Sequence, residues 1–318
     1  MPLAERAFIG RIRQRSGRAQ GVVGIGDDCA SVEIPPGHEV LVTTDFSLQD
    51  VHFDRRSQPA DSVGHRCLVR GLSDIAAMGG KPLAAFLSLA LPGTLPQAWA
   101  DEFLEGLLKL ARQFKIPLAG GDTSKSPGKI LADIVVLGSV PKGNAILRSG
   151  AKPGDRIFVT GTLGGSATTL RMLLEGRKRS IWFLDFEKYL YPTPRIKVGT
   201  ILRKKDLASS MIDLSDGLST DLSHICEESG VGAEVNADAI PRARHGKPQK
   251  EVELRFALHG GEDYELLFTS PKFKPVPARI AGIPITQIGT ILRAPGIFLT
   301  DKGKVKKLRA QGWEHFRK

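Results

Sequence analysis

Five short stretches of the chain set carboxylates beside glycine, serine or threonine: Gly26-Asp27-Asp28, Thr43-Thr44-Asp45, Leu72-Ser73-Asp74, Gly120-Gly121-Asp122-Thr123 and Asp213-Leu214-Ser215-Asp216-Gly217. Two carboxylates about 4 Å apart repel by roughly 4 kcal/mol at an effective dielectric near 20, so a fold that gathers four or more needs cations to hold them. Singly, each stretch has a plain structural explanation. Asp-Asp after Gly suits a turn, Thr-Thr-Asp can end a strand, and Asp216 can cap a helix. Together they demand more, because the surrounding chain is basic, with 45 Lys and Arg against 34 Asp and Glu and a net charge of +11. Oxygen-only ligands select a hard ion such as Mg2+, which keeps waters and shares its remaining positions with substrate phosphates. Gly24, Gly26, Gly120, Gly121 and Gly217 let backbone N–H groups approach phosphate oxygens. The pattern predicts metal-bridged polyphosphate chemistry.

The familiar nucleotide devices are absent. Gly79-Gly80-Lys81 is followed by proline rather than completing a phosphate loop, and Gly24-Ile25-Gly26 lacks the third glycine of a dinucleotide fingerprint. His65-Arg66 runs into Cys67, so there is no protein-kinase catalytic loop. The pI near 9.7 invites a nucleic-acid reading. Aromatic residues are only 6%, however, and no helix-turn-helix or RNA-binding signature is present, so no nucleic-acid partner is expected. No run of eighteen apolar residues exists, and no membrane partner is expected. Cys29, Cys67 and Cys226 are odd in number and scattered, which suits a reducing cytoplasm better than a disulfide framework or zinc site.

Periodicity predicts a strand over 40–46, a helix from Asp61 or Ser62 through 78, a strand over 83–91, an amphipathic helix over 97–114 and a strand over 130–140. The turn-rich run 148–155 reads as a domain junction. Beyond it come a strand over 156–160, a helix over 165–174, a helix from the Asp213–Gly217 turn through 229, and a strand over 264–269. The proline-rich 271–284 reads as irregular. Mixed strands and helices with hairpin-length connections favour two α+β halves, residues 1–145 and 146–318.

GIGDDCA (24–30), TTD (43–45) with VHF (51–53), LSDIAAMGG (72–80), GGDT (120–123), RSGAKPGD (148–155), IDLSDGL (212–218) and GGEDYELLFT (260–269) occur together and in order. In this the chain resembles the thiamine-monophosphate kinases, members of the superfamily that includes aminoimidazole ribonucleotide synthetase. The resemblance spans almost the whole chain. It implies a two-domain α+β fold of the aminoimidazole ribonucleotide synthetase type, a homodimer whose N-terminal domains pair around a shared β-barrel, and an active site between the two domains of a chain. It also implies direct transfer of the γ-phosphoryl of ATP, the co-substrate, to thiamine phosphate with several Mg2+ ions. Asp28, Thr43, Thr44, Asp45, Asp74, Asp122, Asp213 and Asp216 match magnesium positions. Gly121, Asp122, Arg148 and Ser215 match ATP contacts, and His52, Glu262 and Trp313 match thiamine phosphate contacts. Asp45, Asp122 and Arg148 are the residues expected to carry catalysis. Asp263 and Glu265 remain alternatives to Glu262. A selenophosphate synthetase would place a reactive cysteine or selenocysteine near its N-terminus, whereas no cysteine precedes Cys29 here.

Overall fold

The computed structural model describes residues 5–17, 20–26, 28–176, 184–246 and 248–315. Asp27 and the basic run 177–179 lie outside the described residues. The chain forms two units, Met1–Ile75 with Gly80–Gly143, and Ala76–Gly79 with Asn144–Lys318. Among the described residues no helix is long and apolar enough to cross a membrane.

The first unit is built on a four-stranded sheet in the order His38–Leu48, Leu131–Pro141, Lys81–Pro92, Leu118–Ser126. Its first two pairings are antiparallel and its last is parallel. Helices Ala60–Ala77 and Gln97–Phe114 supply its apolar layer, with Leu68, Leu72, Phe103, Leu104 and Leu107 all buried. Each such side chain contributes about 1.5–3 kcal/mol on leaving water. The second helix ends where Lys115 takes a left-handed conformation (φ 56°) and the N–H groups of Lys115 and Ile116 fold back onto Arg112 and Ala111. The two helices meet backbone to backbone. A Cβ on Gly64 would lie 1.8 Å from the carbonyl oxygen of Phe103, and one on Gly106 would lie 1.7 Å from that of Asp61. Helix Ala60–Ala77 lies on one sheet face, since a Cβ on Gly71 would meet Val136 at 2.6 Å and Thr43 at 3.4 Å.

The second unit carries an eight-stranded sheet running Lys304–Lys307, Gly296–Asp301, Gly232–Asn236, Ile283–Leu292, Arg156–Thr160, Leu266–Ser270, Ser210–Asp213, with Arg279–Ile280 paired to Ile283–Leu292. Helices Leu218–Ser229 and Leu254–His259 join Ile157, Val159, Ile212, Leu267, Ile288 and Ile291 in one core.

The strands over 40–46 and 83–91 are present but longer, the one over 130–140 is shifted by a single residue to Leu131–Pro141, and 156–160 and 165–174 match the expected bounds. Other regions differ. Gly120–Thr123, for which periodicity predicts no element, lies in strand Leu118–Ser126, and the proline-rich run 271–284 holds strand Arg279–Ile280 and the start of the ten-residue strand Ile283–Leu292. The segment YELLFT becomes strand only at Leu266, because Tyr264 sits at φ 50° with its N–H bound to the carbonyl of Leu214.

Candidate functional site

Alternation along His38–Leu48 sorts the Thr-Thr-Asp triplet by face. Thr43 and Asp45 are partly covered, Ser47 is buried, and Val42, Thr44 and Phe46 are exposed. The Thr43 hydroxyl donates to Asp74 Oδ2, which helix Ala60–Ala77 brings to the covered face. Thr44 points the other way and donates to Asp133 Oδ1 at 2.7 Å. Thr43 and Asp74 are thus brought together, while the Thr44 hydroxyl is not.

Asp28 and Asp122 line one cleft of the first unit, about 470 Å³, with Gly24, Gly26, Gly120, Gly121 and an apolar wall of Ile9, Ile12 and Phe86. Gly121 is required there. Its φ is 142°, and a Cβ would lie 1.8 Å from the carbonyl oxygen of Leu87. Asp122 Oδ1 accepts the N–H of Thr123 at 2.8 Å. Sheet register separates this cleft from Asp45. Asp45 pairs with Ile134, Ile134 with Leu87, and Leu87 with Gly121, which puts Asp45 and Asp122 on opposite edge strands. Three strand spacings amount to about 14 Å along the sheet. These two expected metal residues are therefore not neighbours within the chain. His52 Nδ1 accepts the N–H of Leu48 at 3.0 Å, so in the neutral ring the proton sits on Nε2.

In the second unit Asp213 ends strand Ser210–Asp213, and the turn that follows leads into helix Leu218–Ser229. Asp221, in the helix's first turn, reaches back to accept the N–H groups of Gly217 (2.9 Å) and Asp216 (3.2 Å). Burial first, and then the charges of Asp213 and Asp216, hold the Asp221 carboxyl well above the ordinary carboxylate range. Asp216, Asp221 and His224 can each bring a ligand atom within 4.8 Å of the other two. Asp221 and His224 were not singled out in the sequence, where an acid in a first helical turn reads only as a partner of the helix dipole. The backbone N–H of Trp313 donates to the carbonyl of Asp216 at 3.1 Å, which brings the residue to the acidic turn, while its half-exposed indole donates Nε1–H to His315 Nε2 at 3.4 Å. Arg148 opens the 3₁₀ turn Arg148–Gly150 with an exposed side chain, and its carbonyl accepts from Ser229 Oγ at 2.7 Å.

Glu262 donates its N–H to the carbonyl of Ser215 at 2.8 Å, joining the GGEDYELLFT segment to the acidic turn. Its φ of 66° places a non-glycine residue in the left-handed region, at a cost of about 1–3 kcal/mol. Its two acidic neighbours are committed elsewhere. Asp263 is buried and accepts the N–H groups of Gly164 (2.6 Å) and Ser166 (3.2 Å) at the start of helix Gly165–Leu174. Burial pushes its carboxyl up to about 6. Glu265 is fully buried, gripped by Arg195 through two 2.6 Å bonds, by Lys188 at 2.9 Å and by Thr160 at 2.6 Å. Burial would raise its carboxyl, but Lys188 and Arg195 outweigh that and hold it low. Of the three acids, only Glu262 retains solvent access.

The sequence matches AIR synthase related protein, N-terminal domain, over residues 26–140, and AIR synthase related protein, C-terminal domain, over residues 152–302. It is 39% identical over 331 residues to the thiamine-monophosphate kinase of Escherichia coli, with 99% of each chain covered. The chain belongs to the thiamine-monophosphate kinase family. The fold of this kinase-family chain is similar to the crystal structure of thiamine-monophosphate kinase from Stenotrophomonas maltophilia, with a TM-score of 0.79 at 34% identity, covering 96% of this chain and 99% of that one. It is also similar to AaThiL complexed with AMPPCP and TMP, with a TM-score of 0.79 at 33% identity, covering 99% of each. Membership makes the chain an enzyme of the phosphotransferase class.

The donor chemistry of this kinase-family chain fits Mg2+. The expected ligands are carboxylate and threonine oxygens, and at the acidic turn Asp216 and Asp221 approach closely enough to share an ion, with the His224 imidazole also within reach.

Proposed function

We propose that this kinase catalyses ATP-dependent phosphorylation of thiamine phosphate to thiamine diphosphate, releasing ADP, by direct in-line transfer. The observation that carries the reading is the near-complete, full-length likeness to AaThiL complexed with AMPPCP and TMP. The cleft that sets Asp28, Gly121 and Asp122 together supports it.

In this reading Asp28, Thr43, Asp45, Asp74, Asp122, Asp213 and Asp216, with Thr44 contributing through its backbone, would hold Mg2+ ions that would neutralise charge on the ATP phosphates. The backbone of Gly121 approaches a phosphate oxygen, Ser215 hydrogen-bonds the nucleotide, and Arg148 offers a bidentate cationic contact. Asp45, Asp122 and Arg148 thereby align and balance two anionic reactants. No general base is needed, because an ionised phosphate is already the nucleophile. His52 presents Nε2–H to thiamine phosphate, Glu262 accepts from its aminopyrimidine, and Trp313 stacks on the thiazolium cation.

A homodimer belongs to the same reading. The sheet face of the first unit that carries Val40, Val42 and Phe46 leaves them 47%, 63% and 56% exposed. Three apolar side chains exposed on one sheet face, with only the Thr44–Asp133 pair among them, favour association there. A second copy of the face covers it and yields the shared β-barrel.

The test is product chromatography of purified protein with Mg2+, ATP and a panel of acceptors comprising thiamine phosphate, thiamine and other phosphate monoesters. Thiamine diphosphate and ADP are expected in equal amounts from thiamine phosphate alone. ADP accompanied by inorganic phosphate, or faster conversion of another acceptor, overturns the reading.

A further inference from the structure

We infer that Asp263 is a positioning residue for the substrate contact made by Glu262. The inference rests on the reading of Glu262 given above.

Asp263 sits between two residues held in the left-handed region, Glu262 at φ 66° and Tyr264 at φ 50°. Neither is glycine, so each is held there by its surroundings rather than by its own preference. The restraints are visible on every side. The N–H of Glu262 is bound to the carbonyl of Ser215, and the N–H of Tyr264 to the carbonyl of Leu214. The Ser166 hydroxyl donates to the carbonyl of Glu262 at 2.8 Å. The Asp263 carboxylate closes the set by taking the first free N–H groups of helix Gly165–Leu174, those of Gly164 and Ser166. A helix start offers unpaired N–H groups and partial positive charge, so an anion is favoured there. Asp263 is 4% exposed and has no access to a ligand of its own. Lys188 and Glu265 are the charged groups acting on it, with Arg195 beyond them on Glu265.

The consequence concerns direction. With Asp263 anchored, the residue before it is locked into the turn that joins it to Ser215. Without the anchor, residues 262 and 264 are released toward ordinary backbone regions, and the Glu262 carboxylate loses its fixed bearing. Asp263 thus acts on substrate only through Glu262.

Steady-state kinetics on Asp263→Asn, Glu262→Gln and the double variant test this. Asp263→Asn is expected to raise KM for thiamine phosphate by about tenfold while KM for ATP changes less than about twofold. In the Glu262→Gln background the same substitution is expected to add less than about twofold, because the contact it serves is already gone. Where Asp263→Asn fails to fold, Ser166→Ala removes only the bond to the Glu262 carbonyl and is expected to show the same split between substrates, at about threefold. Equal effects on both KM values, or the full effect persisting beside Glu262→Gln, overturn the inference. So does an impaired Glu262→Gln with an unimpaired Asp263→Asn, which leaves the reading of Glu262 intact. A wild-type KM for thiamine phosphate in Glu262→Gln overturns that reading and this inference with it.

Discussion

Thr43 and Thr44 are adjacent and chemically identical, yet the strand that carries them sends their hydroxyls to opposite faces. One meets Asp74 on the helix-covered side and the other meets Asp133 on the open side. Replacement by valine preserves size and β-propensity while deleting the hydroxyl, so it separates the two. Thr43→Val is expected to cut phosphoryl transfer by about tenfold or more, because it removes an oxygen beside Asp74 at a candidate metal position. Thr44→Val is expected to cost less than about threefold, since only its backbone is asked to serve. Rates measured across a Mg2+ titration check both, and equal losses sink the assignment by face. The triplet was legible in the sequence as a set of oxygens. Which side each oxygen takes follows from strand register, which depends on partners about ninety residues away.

Among the elements, helices Ala60–Ala77 and Gln97–Phe114 were readable in the sequence, whereas helix Glu5–Arg15 and the closeness of the other two were not. Gly64 lies within helix Ala60–Ala77, where glycine costs about 1 kcal/mol relative to alanine, and sequence reasoning sees only that cost. The structure supplies the compensation, because the carbonyl of Phe103 occupies the place a Cβ would take. Gly64→Ala is expected to lower unfolding free energy by about 2–4 kcal/mol through forced separation of the helices. Gly128→Ala, at a position where a Cβ meets nothing within 4 Å, is expected to change it by less than about 0.5 kcal/mol. Urea denaturation of both distinguishes packing from helix propensity, and a stabilised Gly64→Ala contradicts the close crossing. The strand Leu118–Ser126 was hidden for a related reason. Its glycines carry no strand period, although Gly121 stands where the neighbouring backbone leaves no space for a side chain. Short-range pattern reports what a residue prefers and is silent on what approaches it.

At the scale of the whole molecule, the separation of Asp45 from Asp122 bears on where a complete site is assembled. An ion at 2.0–2.1 Å from each ligand holds two oxygens within about 4 Å. With side chains that reach about 3–4 Å from Cα, two aspartates sharing it need Cα atoms within roughly 11 Å. The register leaves about 14 Å between these two across the sheet of one protomer. In the proposed homodimer, if both residues serve one ion, the second copy must bring its own edge strand to complete the site. Subunit complementation tests this directly. Asp45→Asn and Asp122→Asn are each expected to be inactive as homodimers, because each spoils both sites. Dissociated, mixed in equal amounts and reassociated at random, half of the dimers carry one variant of each kind. Every such dimer keeps one site with both aspartates intact, so the mixture is expected to regain about a quarter of wild-type activity. Differently tagged chains, recovered together, establish that mixed dimers have formed. Silence from those mixed dimers means that each site is contained within one chain and excludes a shared ion. Activity in either homodimer removes its aspartate from the reaction altogether.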